Sequence, residues 1–344
     1  MQVQLSGSKN PLAYLLLIAP FFLWGTAMVA MKGVIPHTTP LFMAGVRLIP
    51  AGVLILMVAA FMGKPQPKSW LGWLWIIIFA LVDGTLFQGF LAEGLVRTNA
   101  GLGSVMIDSQ PLAVALLSLW LFQEHIGLWG WLGLGLGITG ISLIGLPQEW
   151  IFHLFDSGIT ISIDNWQELF NRGELLMLLA ALSMAVGTVM IRFVCRYVDA
   201  VTATGWHMII GGLPLWGISS VLESQQWENL VLLDWLALSY ATVFGSAIAY
   251  GLFFYFASSD NLTSLSSLTF LTPVFALIFG YIFLNEVLTT IQWFGVFLTL
   301  ISIYLINQRE NIGGNQKPTI TEVRSQESGV NPDFSQAKKI IHKE

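Results

Sequence analysis

Residues Asn99 to Gly133 read NAGLGSVMIDSQPLAVALLSLWLFQEHIGLWGWLG, and 162 positions further on Asn261 to Gly295 read NLTSLSSLTFLTPVFALIFGYIFLNEVLTTIQWFG. Five landmarks coincide: Asn99 falls on Asn261, Pro111 on Pro273, Glu124 on Glu286, Trp131 on Trp293 and Gly133 on Gly295. Each copy has a proline-containing apolar segment, a carboxylate beyond its end and a Trp-x-Gly opening the next segment, which is a duplicated membrane unit. The repeat extends outward. At the same offset Gly25-Thr26 falls on Gly187-Thr188 and Gly89 on Gly251; at 160, Lys32 falls on Arg192 and Gly52 on Gly212.

Composition agrees. About a quarter of residues are charged in a soluble chain, whereas 10% are here, with 55% hydrophobic residues and 14 tryptophans and a mean hydropathy of +0.72. So few charges cannot dress an aqueous surface, so the chain is a polytopic integral membrane protein with the lipid bilayer as a partner. A net charge of -5, spread over loops and tail, gives no reason to expect nucleic acid. One cysteine, Cys195, excludes an intramolecular disulfide and a cysteine-cluster metal site. The first apolar run, from Leu12 to Met31, carries no small-x-small cleavage pattern and reads as an uncleaved span.

Apolar runs give ten spans: 12–31, 41–62, 71–92, 100–121, 127–146, 174–194, 201–221, 231–256, 262–284 and 288–306. All should be helices, because lipid leaves a helix or closed barrel as the way to satisfy the backbone, and strands would be half as long. The expected fold is all-α, ten transmembrane helices in two five-helix repeats, 12–146 and 174–306. Five is odd, so the second copy enters inverted. The rest divides into a cytoplasmic N-terminus (1–11), an outer interfacial connector (147–173) rich in aromatic residues, and a disordered cytoplasmic tail (307–344). With the N-terminus inside, Lys9, Lys64, Lys68, Arg192, Arg196, Arg309, Lys317 and Arg324 gather on the cytoplasmic side, against Lys32, Arg97 and Arg172 outside. Both termini are therefore expected in the cytoplasm and the protein in the plasma (inner) membrane.

Several motifs carry less than they promise. Gly135-Leu-Gly137-Ile-Thr-Gly140 matches a dinucleotide pattern but sits mid-span, where Gly133, Gly137 and Gly140 suit close helix packing instead. Asn261-Leu-Thr263 is a glycosylation sequon on the cytoplasmic side of the expected topology. Of five histidines His207 alone lies inside a span, and no paired histidines suggest a metal. No cofactor and no metal are expected, and nothing marks the chain as an enzyme.

Charge inside the hydrocarbon is the informative signal, since each such residue costs at least roughly 2.5–3.5 kcal/mol. Arg47, Asp83 and Asp108 qualify, at about 10, 13 and 12–14 Å from the outer boundary counted at 1.5 Å per residue. One reading pairs Arg47 with an aspartate to fix helix packing. The other opens a water-accessible cavity at this level, where the surplus carboxylate, Asp83 or Asp108, binds a cationic group or a proton. The second copy has Gly245, Phe270 and His207 at the matching positions, with Trp206, Tyr250, Tyr255, Ser266, Ser267 and Thr272 in its spans; Tyr250 and Thr272 are the ones expected to reach a cavity. Glu124 and Glu286 recur at span ends and are read as structural, holding the turn into the next span.

Leu23-Trp24-Gly25-Thr26 with Lys32, Arg47, Gln110-Pro111, Glu124 with Trp131-x-Gly133, and in the second copy Thr272-Pro273, Glu286 and Trp293-x-Gly295 together resemble the drug/metabolite transporter superfamily, in its EamA-type ten-span form. The likeness covers residues 12–306. It implies a small-molecule substrate in a central cavity between the halves, with the fifth and tenth spans peripheral. Trp24, Thr26, Arg47, Asp83, Gln88, Asp108, Gln110, His207, Tyr250 and Thr272 are the candidate lining residues, with Asp83 and Asp108 as proton-coupling candidates and Pro111, Glu124, Pro273 and Glu286 as scaffold. The expected function is secondary active transport of an amino acid, metabolite or drug by alternating access, as an exporter driven by protons or a uniporter. A nutrient importer of the same fold is the second reading, a membrane enzyme or sensor the third. Homodimer formation is left open.

Overall fold

The computed structural model describes residues 11–97, 106–145, 173–258, 261–284 and 289–312. Asn99, Glu286, Arg172 and all of the connector but Gly173 lie outside these residues, as does the tail from 313 onward.

The described residues form helical rods: α1 (Pro11–Lys32), α2 (Pro40–Phe61), α3 (Trp70–Arg97), α4 (Gln110–Phe122), α5 (Gly127–Gly145), α6 (Gly173–Val194), α7 (Ala200–Leu222), α8 (Leu232–Ala257), α9 (Leu262–Ser267, a 3-10 turn Leu268–Phe270, then Leu271–Leu284) and α10 (Thr290–Ile312). Local chemistry sets their ends. Pro40 and Pro111 sit in first turns, where a missing N–H costs nothing. Ser69, Asp199 and Asn261 cap α3, α7 and α9 by accepting from Gly72, Val201 and Ser264 N–H groups, each at 3.0 Å. Gln123, at φ 53°, and Gly63, at φ 66°, turn the chain out of α4 and α2.

Eight of these helices are long and apolar enough to cross a membrane, and α4 is a shorter apolar helix. α7 has 23 residues but carries Thr202, Thr204, His207 and Ser219, all buried. These polar residues lie on the face packed among α2, α3 and α8, while Leu213, Trp216 and Ile218 stay exposed on the outside. The protein is thus an all-helical integral membrane protein, with large apolar side chains such as Trp70, Trp120, Leu128 and Leu233 on its outside.

α2 lies along α7 and α5 along α10. Both pairs depend on glycine: a Cβ on Gly52 would stand 2.6 Å from the Gly205 carbonyl, and one on Gly140 would stand 2.8 Å from that of Gly295. α1 packs on α8 and α9, α6 on α3 and α4, and α9 on α4. The α5–α10 pair stands against the bundle through Phe270, which is fully buried between Gly137 and the rest of the core. α3 and α8 each contain one π-helical stretch, Ala80–Phe87 and Ala241–Ile248. Both fall at matching places in the two sequence copies, and π stretches concentrate where helices do functional work.

Candidate functional site

A cavity of about 130 Å³ opens between α1, α2, α3, α4, α6, α8 and α9, toward the end of the bundle where α1 finishes and α2 begins. Trp24, Arg47, Gln88, Asp108, Gln110, Tyr250 and Thr272 supply its polar wall, and Met28, Met31, Phe87 and Met184 much of its apolar wall.

Arg47, from the second turn of α2, is held on one side only. Nη2 donates to Gln88 Oε1 at 3.2 Å and Nη1 reaches the weak acceptor Met31 Sδ at 2.8 Å. A guanidinium can only donate, so the Gln88 carbonyl faces it and the Gln88 amide donates to Tyr250 Oη at 2.7 Å. Tyr250 therefore accepts from Gln88 and keeps its own hydroxyl proton for another partner. On the opposite wall Gln110 Nε2 donates to Thr188 Oγ1 at 3.2 Å, and Thr188 donates to the Met184 carbonyl at 2.8 Å. This tethers α4 to α6.

Several residues of the cavity wall carry buried polar atoms that these bonds leave over. Trp24 Nε1, Arg47 Nε, Gln110 Oε1 and Thr272 Oγ1 are buried without a hydrogen-bond partner. Asp108, in the turn before α4, has no hydrogen bond or ion pair among the described residues. An unsatisfied buried polar group costs about 1–3 kcal/mol, more when charged. Such a concentration around one hollow is the arrangement of a binding site that a polar solute or water completes.

Three expected lining residues are elsewhere. Thr26 bonds to Tyr240 Oη at 2.9 Å and to carbonyls of its own helix. Asp83, on the π stretch of α3, is fully buried and meets His207 of α7, with Oδ2 3.2 Å from Nε2. Of the two readings of the buried charges, the one that pairs Arg47 with an aspartate finds no such pair at Asp83: equal depth did not bring Asp83 to Arg47, because Asp83 meets His207 of α7, beside Gly187 of α6. Lining residues missed from sequence include Met28, Met31, Phe87 and Met184. A signal for two of them exists, since Trp24, Ala27, Met28 and Met31 recur at helical spacing on one face of α1.

Beyond the cavity floor lies an aromatic layer. Trp24 stands 5.1 Å from Tyr250 and 5.2 Å from Phe253, ring to ring, and Phe21, Phe79, Phe253 and Phe254 are fully buried behind them. At the far end Glu124 accepts from the N–H groups of Leu262 and Thr263 at 3.2 and 3.3 Å and from Thr263 Oγ1 at 2.9 Å. Arg192 Nη1 lies 3.4 Å from the same carboxylate, with its guanidinium over Phe122. Glu124 therefore caps α9 and ties it to α6, instead of holding the turn into α5. A carboxylate suits a helix N-terminus because it meets both the orphan N–H groups and the positive end of the dipole. Pro111 stays in the scaffold, buried in the first turn of α4, and Pro273 lies early in the last segment of α9.

Known proteins are similar to this chain over most of its length. The EamA-like transporter family model matches residues 11–146 and 171–308. An uncharacterized transporter of Synechocystis is 65% identical over 91% of this chain and 94% of its own length. A WAT1-related chloroplastic protein of Arabidopsis thaliana is 51% identical over 88% of this chain and 71% of its own. One solved crystal structure, 15% identical, superposes with a TM-score of 0.72 over 86% of this chain and 98% of the other, which speaks for the fold. Two helical sets, each matched by the same family model, surround the cavity, and the chain belongs to the EamA-like transporter family, a membrane transporter and not an enzyme.

Proposed function

We propose that the protein is a secondary active transporter that exports a small organic solute across the plasma membrane, in exchange for protons, by alternating access of two inverted five-helix halves. The cavity carries this reading. A guanidinium and a carboxylate line the same hollow without neutralising each other, and burying an uncompensated charge costs several kcal/mol. A solute that offers an acceptor to Arg47 and Trp24 and a donor to Asp108 and Gln110 satisfies both. Its apolar remainder fits Met28, Met31, Phe87 and Met184. This favours amphoteric metabolites over simple sugars.

The helix contacts support two inverted halves. Exchanging α1–α5 for α6–α10 turns the α1–α9 contact into α6–α4, α1–α8 into α6–α3, and leaves α2–α7, α4–α9 and α5–α10 as themselves. Ten crossings follow if α4 and α7 join the eight qualifying helices. The aromatic layer and the Glu124–Arg192 contact close one end while the cavity opens toward the other, and alternation requires these to separate. The distribution of basic residues supports cytoplasmic termini.

Counterflow in proteoliposomes tests the reading. Vesicles preloaded with a mixed pool of amino acids, other amphoteric metabolites, sugars and nucleosides should accumulate a labelled amphoteric solute by exchange. Exchange of none of them, with the protein folded and inserted, overturns it.

A further inference from the structure

The Asp83–His207 contact lies outside the cavity wall, and its geometry counts protons. His207 Nδ1 is 2.6 Å from the Thr204 carbonyl oxygen. A carbonyl only accepts, so Nδ1 carries a hydrogen and the 3.2 Å contact between Nε2 and Asp83 Oδ2 is where the second nitrogen acts. One proton between those atoms makes a hydrogen bond in either of two forms, imidazolium with carboxylate or neutral imidazole with carboxylic acid. Both are neutral overall, as burial demands: the side chains are 1% and 0% exposed. Without that proton the Nε2 lone pair would face a bare carboxylate, a net negative charge in a sealed site.

We propose that Asp83 and His207 form a single-proton binding site, separate from the solute cavity, whose occupancy permits the bundle to seal around it. The proposal rests on the proton-exchange reading above and assigns the proton to this pair, leaving Asp108 to the solute. Release breaks the bond to the shared hydrogen, passes the proton to water and leaves neutral His207 and an Asp83 carboxylate; that charge is tolerable only once water enters. Proton release is thereby tied to opening.

The surroundings suit a moving part. Asp83 sits in the π stretch Ala80–Phe87, whose extra residue lets the helix rewind locally. α3 packs closely on α7 at Gly84 and Gly211, where a Cβ on Gly84 would stand 2.8 Å from Gly211 Cα. Gly187 of α6 leaves room for the carboxylate, and Asp83 Oδ1 has no partner. The charged and titratable neighbours are few. α8 presents Tyr250, which interacts electrostatically with both Asp83 and Arg47. α2 presents Arg47 itself, joined to Tyr250 through Gln88. α6 presents Gly187 and, further along, Arg192, which is engaged by Glu124. On α7 no other charged residue shares the span with His207. Hydrogen bonds thus run from Arg47 through Gln88 to Tyr250.

Infrared titration of the purified protein and transport in proteoliposomes test this together. Among the carboxyl bands of the wild type, one should disappear in Asp83→Asn and shift in His207→Gln. Asp83→Asn should retain counterflow at equal pH but lose accumulation driven by a pH gradient. Accumulation in Asp83→Asn with wild-type pH dependence, or a carboxyl band unaltered by both substitutions, overturns the proposal. Absence of counterflow in the wild type would overturn the transport reading by itself, since the infrared titration reads the proton site without any solute. If Asp83→Asn does not fold, His207→Gln must show the same loss of gradient-driven accumulation; wild-type accumulation in it overturns the proposal.

Discussion

Glu124, past the end of α4, grips the first turn of α9 with its carboxylate while Arg192 of α6 approaches the same group at 3.4 Å. One side chain thus holds three helices at the end opposite the cavity. Glu124→Ala strips partners from two N–H groups and from a largely buried guanidinium. The expected cost is about 2–4 kcal/mol, more than a lone surface pair would lose. Thermal unfolding in detergent checks it, and a double-mutant cycle with Arg192→Gln should return a coupling of about 1 kcal/mol or more.

Gly140 and Gly135 lie on the same helix and should respond oppositely to a methyl group. A Cβ on Gly140 meets the Gly295 carbonyl at 2.8 Å, whereas Gly135 has nothing within 4 Å. Gly140→Ala should lose about 1–3 kcal/mol by forcing α5 off α10. Gly135→Ala should be neutral or gain helix propensity. The measurement is the melting temperature of each variant.

Arg47→Lys keeps the charge but removes the fork that reaches Gln88 while leaving Nε for the solute. Loss of hydrogen bonds to a charged group costs about 1.5–3 kcal/mol, so solute affinity should fall by roughly ten- to a hundredfold. Quenching of tryptophan fluorescence, to which Trp24 in the cavity wall contributes, reports the binding.

Lys64 and Asp199 join the end of α2 to the start of α7 at 2.8 Å, beyond the spanning segments. The hydrogen bond to Asp199 raises the Lys64 pKa above its ordinary value. A raised lysine contributes stability that is complete below the unfolded value of about 10.4 and fades as pH climbs through the higher folded one. Lys64→Met should therefore melt earlier than wild type at neutral pH, and the gap should close in strong alkali.

Cys195 reports topology. It follows α6 directly and is half-buried. A thiol reagent that cannot cross the membrane should fail to label it from outside and label it slowly from the inner side. Labelling from outside in intact cells would reverse the proposed orientation.

Much of the site could be read from residue order. Arg47 and Asp108 betray themselves because charge in hydrocarbon is costly, and both line the cavity. Tyr250 and Thr272 also reach it, from the second sequence copy. Asp83 shows where such reading stops. Counting from a span end measures depth along a helix, but whether a side chain faces the cavity or a neighbouring helix depends on rotation. The π stretch alters that rotation by an amount no residue count supplies, and so Asp83 turns to His207.

The sequence by itself determined the membrane class, the helical content, the duplication and the family, because each follows from composition or from local spacing along one chain. Only the tertiary structure decided that Glu124 caps α9, that Asp83 meets His207, and that Arg47 and Asp108 line one cavity without pairing. Those relationships join residues up to 139 positions apart, which spacing along one chain cannot bring together.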